Sequence, residues 1–200
     1  MSATRPVLDR AAGLASAARL LASWWSRPTA EERTRWASDW VGAGDVADLL
    51  ELPRSSLDEL QEAAAEAGQD ALLEEYERLL IGPGRAPCPP YESLWRTDAP
   101  RREQGRLMAA CAADVMRIYE ELGLRVRPES HELPDHLVVE WEALAYAFEQ
   151  EDAGASAALG CEHLAFWLPA FCAAAAAGTE QPYYAALARL TPEWLAALVA

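Results

Sequence analysis

An all-α fold follows from three observations. Alanine and leucine dominate, β-branched residues are scarce, and no stretch alternates apolar with polar residues long enough to make a half-buried strand. Apolar residues recur instead at helical spacing, as in Leu137, Trp141, Leu144 and Phe148. Proline, glycine and capping residues punctuate the chain where helices would start and stop. The 200 residues suffice for one domain, 1–200, and no internal repeat or low-complexity linker divides them. The expected architecture is a single-domain multi-helix bundle, roughly ten helices around one core.

Taken in order, Val7–Trp25 reads as a first helix ending before Pro28. Thr29 with Glu32 has capping-box spacing and opens a second helix carrying Trp36 and Trp40 four apart. Gly42-Ala43-Gly44 is expected to stop it, leaving Asp45–Leu52 as a short turn or helix closed by Pro53. Ser56 with Glu59 repeats the capping box and opens a helix to about Ala67. Gly68 breaks it, and Gln69–Leu80 continues with Leu72, Tyr76, Leu79 and Leu80 inward. Pro100 precedes a long helix over Arg102–Leu122, ended by Gly123. A helix over Ala155–Ala177 is expected to bend at Pro169, and Thr191, Pro192 and Glu193 read as a cap opening the last helix.

Two stretches stand out from this helical background. Ile81–Pro100 is long and irregular, and four prolines within eight residues (Pro83, Pro87, Pro89, Pro90) impose a stiff, extended path. Its exit carries Tyr91 and Trp95, amphipathic groups suited to recognition. It either lines a groove or is a crossover pinned to the core by its aromatics. The second stretch is His131–Glu142. Pro134 suits the first position of a helix, which puts Asp135 and His136 in the first turn, with the Asp135 carboxylate at the positive end of the dipole. His136 and Glu140 lie four apart on the flank of the apolar stripe. The spacing predicts a surface polar cluster at the mouth of a buried helix, which is either a site or a well-capped helix start.

Charge and composition narrow the function. A net charge of −15, with no lysine, excludes a phosphate-binding nucleic-acid partner and favours a basic one. Cys88, Cys111, Cys161 and Cys172 show no paired spacing and read as free thiols of a reducing cytoplasm. Asp9, Arg10 and Arg19 interrupt the N-terminal apolar stretch, so no signal peptide is expected. The most apolar run, Leu164–Gly178, is shorter than the roughly 20 residues that span a bilayer, so no stable membrane insertion is expected.

No catalytic constellation emerges. His131 and His136 are five apart with Pro134 between them, unlike the pair of a zinc helix, and Cys161-Glu162-His163 has no partner pair nearby. Ser93 lacks a nucleophile elbow, and Gly82-Pro83-Gly84 is followed by no Lys-Ser or Lys-Thr. A binding protein without metal or cofactor is favoured over an enzyme. The alternative is a nucleotide-binding or nucleotide-hydrolysing helical protein.

Two motifs together carry a resemblance. Gly82-Pro83-Gly84 through Pro89-Pro90-Tyr91-Glu92-Ser93 resembles the loop signature of the TorD/DmsD chaperones. Glu132-Leu133-Pro134-Asp135-His136-Leu137, with Glu140 and Glu142 after it, resembles the signature shared with NarJ-type nitrate reductase chaperones. The likeness spans about Leu72 to the C-terminus. It implies a TorD-like helical fold and a cytoplasmic, cofactor-free chaperone of molybdenum-cofactor oxidoreductases. The implied partner is the apo catalytic subunit or its twin-arginine leader peptide, bound by a monomer or a helix-swapped dimer. The positions matching the motifs are Pro89, Pro90, Tyr91 and Ser93 in the loop and Glu132, Asp135 and His136 at the helix mouth. Trp95 would cover the leader's apolar run with Tyr91, and Glu140 would pair its guanidinium groups with Glu132 and Asp135. Charge reversal at Asp135 is then expected to weaken binding without loss of helicity.

Overall fold

The computed structural model describes residues 9–82, 86–127 and 131–200, and within them the only β pairing is an isolated antiparallel bridge between Tyr91 and His136. Every other regular element is helical, as the composition requires. Helix α1 (Arg10–Trp25) starts where the Asp9 carboxylate accepts from the Ala12 amide at 2.7 Å. Val7 and Leu8, expected in this helix, lie outside the described residues. Helix α2 (Ala30–Leu49) is capped as its sequence predicts, by Thr29 accepting from the Glu32 amide. It does not stop at Gly42-Ala43-Gly44. A Cβ on Gly44 would fall 2.2 Å from the Arg54 guanidinium, so that glycine serves close packing rather than termination.

Helix α3 (Arg54–Glu66) begins at Pro53, and Ser56 donates to Glu193 instead of capping. Helix α4 (Gln69–Tyr76) runs on into a π-helical turn over Glu77–Ile81, and Gly82, at φ +62, releases the chain into the proline loop. Pro83 and Gly84 lie outside the described residues. Helix α5 (Ala110–Glu121) starts later than its periodicity predicts. Residues 101–108 form turns, with Gly105 and Met108 at φ +68 and +56, conformations a right-handed helix cannot hold. Leu107 and Met108 remain half exposed, so no buried face supports a helix there. Gly123 ends α5 as read from sequence, in a Schellman motif: the Leu124 amide bonds Tyr119 O at 2.7 Å and the Gly123 amide bonds Glu120 O at 3.0 Å.

Helix α6 (Leu137–Glu149) buries the predicted stripe of Leu137, Trp141, Leu144 and Phe148 and packs on α1. Helix α7 (Ala153–Ala157), a π-helical stretch over Ala158–Leu164, and α8 (Ala165–Gly178) form one continuous rod that persists through Pro169. At 26 residues and mean hydropathy 1.3, this rod is long and apolar enough to cross a membrane, a correction to the shorter run read from sequence. Trp167, Leu168 and Phe171 are instead fully buried within the protein, as in a core helix.

Helix α9 (Pro182–Leu198) is the central rod, packed against α3, α8 and α1. Pro182 occupies its first turn, but Thr191-Pro192-Glu193 lies in its middle and opens nothing. Leu187, Leu190, Trp194 and Leu195 form one buried stripe across Pro192, and burial of that stripe overrides the local cap signal. Thr191 acts in the core: its hydroxyl donates to Leu187 O at 2.7 Å and accepts from the Trp25 indole at 2.9 Å. Trp24 stacks on Trp40 and meets Trp194 edge-on, and Trp36 stacks on Tyr183, so the N-terminal helices lock onto each other and onto α9 through aromatic rings.

Because Pro192 is only half buried and interrupts a helix that continues on both sides, Pro192→Ala restores an amide donor at little packing cost. Urea denaturation should show the variant more stable by about 1–3 kcal/mol. A proline that opened a new helix would give no gain.

Candidate functional site

The loop and the helix mouth, 40-odd residues apart in sequence, are joined by main-chain hydrogen bonds. The Glu92 amide donates to Asp135 O and the Leu137 amide to Pro90 O, both at 2.9 Å. Between them the Ser93 amide donates to Asp135 Oδ2 at 3.1 Å. The Tyr119 hydroxyl holds Pro134 O at 2.9 Å, tying α5 to the same point. Proline supplies carbonyl acceptors here without competing donors, which suits Pro90 and Pro134 to these positions.

The helix mouth differs from the sequence reading. Pro134 and Asp135 lie in a turn, and His136 is the N-cap: its Nδ1 accepts from the Val138 amide at 3.2 Å. That bond places the imidazole proton on Nε2, which faces Glu132 Oε2 at 3.6 Å. Burial pushes the His136 pKa down to about 4, so the ring is neutral at pH 7. Tyr91 packs edge-on against this ring at 5.2 Å and donates its hydroxyl to Glu132 Oε2 at 3.3 Å.

The cluster is not on the surface. Asp135, Glu140 and Ser93 are 0 % exposed, and no guanidinium from outside reaches them in this arrangement. Asp135 fixes the loop, and Glu140 accepts from the Trp167 indole at 3.2 Å. Burial, and then the negative charge of Glu92, push the Glu140 carboxyl well above the usual carboxylate range. Charge reversal at Asp135 would therefore bury an unpaired cation and unfold the region, contrary to the sequence-based expectation.

Glu92, which sequence reasoning passed over, is the centre of the buried network. It is 0 % exposed, and its carboxylate pairs with Arg96 at 2.7 Å and with His163 Nδ1 at 2.8 Å. Arg96 reaches on to Asp98 at 2.7 Å and to Glu162 O at 2.8 Å, and stacks over Phe166 at 4.0 Å. The loop is thus anchored to the rod of α7 and α8 by a charge-assisted network. Its sequence signal was the glutamate inside Pro-Pro-Tyr-Glu-Ser; His163 lies 71 positions away and gave none.

The remaining site residues face a groove of about 1020 Å³ lined by Pro89, Pro90, Tyr91, Trp95, Leu107 and Glu132 among others. The Trp95 indole is tied to Pro89 O at 2.8 Å and its ring meets Phe171 edge to face at 5.8 Å, so the ring that lines the groove is anchored. Glu132, with a side chain 37 % exposed, lines this groove and also a second one of about 540 Å³. Among the described residues, no group of three or more His, Cys, Asp or Glu side chains is placed to hold a metal ion.

Both motifs lie inside residues 47–173, the region matched by the model of the nitrate reductase delta subunit family. That match takes in more than half of the chain, and the chain belongs to this family. The chaperone protein TorD of Shewanella loihica is 29% identical over 143 residues, covering 68% of this chain and 66% of that protein, a little under two thirds of its length. A crystal structure from Archaeoglobus fulgidus, of a protein assigned to redox enzyme maturation, shares the fold. Its TM-score is 0.68 at 19% identity, over 98% of this chain and 99% of that one. The family and the TorD-like all-α fold read from the motifs are borne out.

Two outcomes follow from the splice. Asp135→Ala leaves the buried Ser93 amide without an acceptor and should cost about 1–3 kcal/mol in denaturant unfolding, while Asp135→Lys should fail to fold cooperatively. The depressed pKa of His136 means the unfolded chain binds its proton near 6.5 and the folded chain only near 4. Its contribution to stability is complete above about 6.5 and is lost as pH falls towards 4. His136→Asn keeps a capping acceptor but has nothing to titrate. Thermal melts of the two proteins should therefore differ progressively, to the wild type's disadvantage, on acidification through that window.

Proposed function

We propose that this protein is a maturation chaperone that binds the catalytic subunit of a molybdenum-cofactor oxidoreductase through its twin-arginine leader peptide. It holds the apoprotein in the cytoplasm until cofactor insertion is complete and export can follow. The observation that carries this reading is an aromatic, proline-walled groove also lined by a partly exposed carboxylate, Glu132. A twin-arginine leader combines guanidinium groups with a short apolar run, which is the chemistry of those two features side by side. Pro89, Pro90, Tyr91 and Trp95 cover the apolar run, and Glu132 pairs a guanidinium. His136 fixes the rim of the groove. Ser93, Asp135 and Glu140 act from beneath by holding loop and helix mouth in register.

The family match and the TorD relative support the chaperone role. The chain's own residues supply binding surface, and the protein works without cofactor or turnover, as a monomer or a helix-swapped dimer. The net charge of −15 adds long-range attraction for a basic leader, which makes association faster at low salt.

Titration calorimetry with the twin-arginine leader peptide of a molybdenum-cofactor oxidoreductase tests the reading. Tyr91→Ala and Glu132→Gln should each weaken binding about tenfold without changing the far-ultraviolet circular dichroism. A leader in which both arginines are replaced by glutamine should bind no more tightly to wild type than to Glu132→Gln. Equal affinity of the wild-type protein for both leaders would overturn recognition by Glu132.

A further inference from the structure

We propose that residues 101–109 complete the leader groove by winding into an N-terminal extension of α5 when an apolar run binds, with Leu107 and Met108 as contact residues. The proposal rests on the leader reading and adds to it residues that neither motif contains. The chain here carries the signals of a helix start. Pro100 and Glu103 supply a first-position proline and a first-turn acid. The Gln104 amide already reaches Pro100 O, four residues back, at 3.3 Å, and the Glu103 amide bonds the same carbonyl at 2.7 Å. A turn able to nucleate a helix is therefore in place, and nucleation is the costly step. From the other side, α5 buries Cys111, Ala112, Val115, Ile118 and Tyr119. Leu107 and Met108 stand four residues before Cys111 and Ala112, on the continuation of that stripe.

Two backbone reversals interrupt the helix. Gly105 sits at φ +68 and Met108 at φ +56, and the second is a conformation that a long side chain adopts at a cost. Burial does not offset that cost, since Leu107 and Met108 are 50 % and 51 % exposed. An apolar ligand changes the balance. Gly105, Arg106 and Leu107 already line the groove together with Pro89, Pro90 and Trp95. An apolar segment seated there withdraws Leu107 from water and supplies the buried face that this stretch lacks. Winding then releases Met108 from its left-handed conformation and brings its side chain onto the stripe of Leu107. The wound state makes contacts with the ligand that the turns do not, which is what lets binding favour it.

Nuclear magnetic resonance on the isotope-labelled full chain tests this, with an unlabelled twin-arginine leader peptide of a molybdenum-cofactor oxidoreductase as probe. The Cα chemical shifts of residues 101–109 should move from turn to helical values as the leader binds. A leader whose apolar residues are replaced by serine should leave them in place. Two substitutions should act in opposite directions. Gly105→Ala disfavours the left-handed turn and favours the helix, and its Cβ meets nothing within 4 Å, so the leader should bind about fivefold more tightly. Met108→Gly eases the turn, weakens the helix and removes a contact, so the leader should bind about tenfold more weakly. Thermal melts should show both variants folded, because both positions are exposed. Leader binding with unchanged shifts over 101–109, or no tighter binding by Gly105→Ala, would overturn this inference and leave the leader reading standing. Absence of leader binding to the wild-type chain would overturn both.

Discussion

Everything near the groove depends on one short exchange of main-chain hydrogen bonds, Glu92 to Asp135 and Leu137 to Pro90, reinforced by the Asp135 carboxylate on the Ser93 amide. A helical protein has no sheet to register distant segments, so a loop with many prolines would otherwise be free to drift. Two backbone bonds and a buried carboxylate give it a fixed register against the N-terminus of α6. Tyr91 and His136, opposite each other in the resulting bridge, are then brought together with Glu132 as a consequence of that register.

Beneath the splice, buried carboxylates solve a problem of polarity. Glu92, Asp135 and Glu140 are all withdrawn from water, and three charges so close together would repel strongly. Glu92 is matched by Arg96 and His163, Asp135 by a main-chain amide, and Glu140 by the Trp167 indole, with burial favouring its protonated form. Each group uses a different form of compensation, and together they link the loop, α5, α6 and the α7–α8 rod. The groove is therefore built on a base that resists deformation, with its apolar wall left exposed above. Leu107 belongs to that wall and sits, half exposed, in a turn outside any helix.

Sequence reasoning located the two motifs, and both lie at the site. It misplaced the depth of their residues. Asp135 reads as a helix-mouth acid facing solvent because proline at the first helical position would put it there; the helix begins three residues after that proline, at Leu137, and the carboxylate turns inward to the loop. Glu92 and His163 were invisible as a pair, since nothing in local spacing connects residues on a loop and on a π-helical turn of a distant rod. The arginine-lined groove is likewise assembled from α1, the segment after α5, and the helix mouth.

The features legible along the chain are those that depend on local energetics and periodicity. Helical composition, the stripe of α6, the Thr29 cap and the Gly123 stop all follow from interactions within a few residues, and each stands as read. Tertiary structure decided the cases where burial outweighs a local signal of about 1 kcal/mol. Gly42-Ala43-Gly44 stays helical because small residues let Arg54 approach, and Thr191-Pro192 stays inside α9 because Leu187, Leu190 and Trp194 bury as one stripe. Residues 102–109 fail to form the helix their propensity favours because no buried face awaits them. The inward turn of Asp135 has the same origin: only the packed chain supplies the unpaired amide that its carboxylate needs.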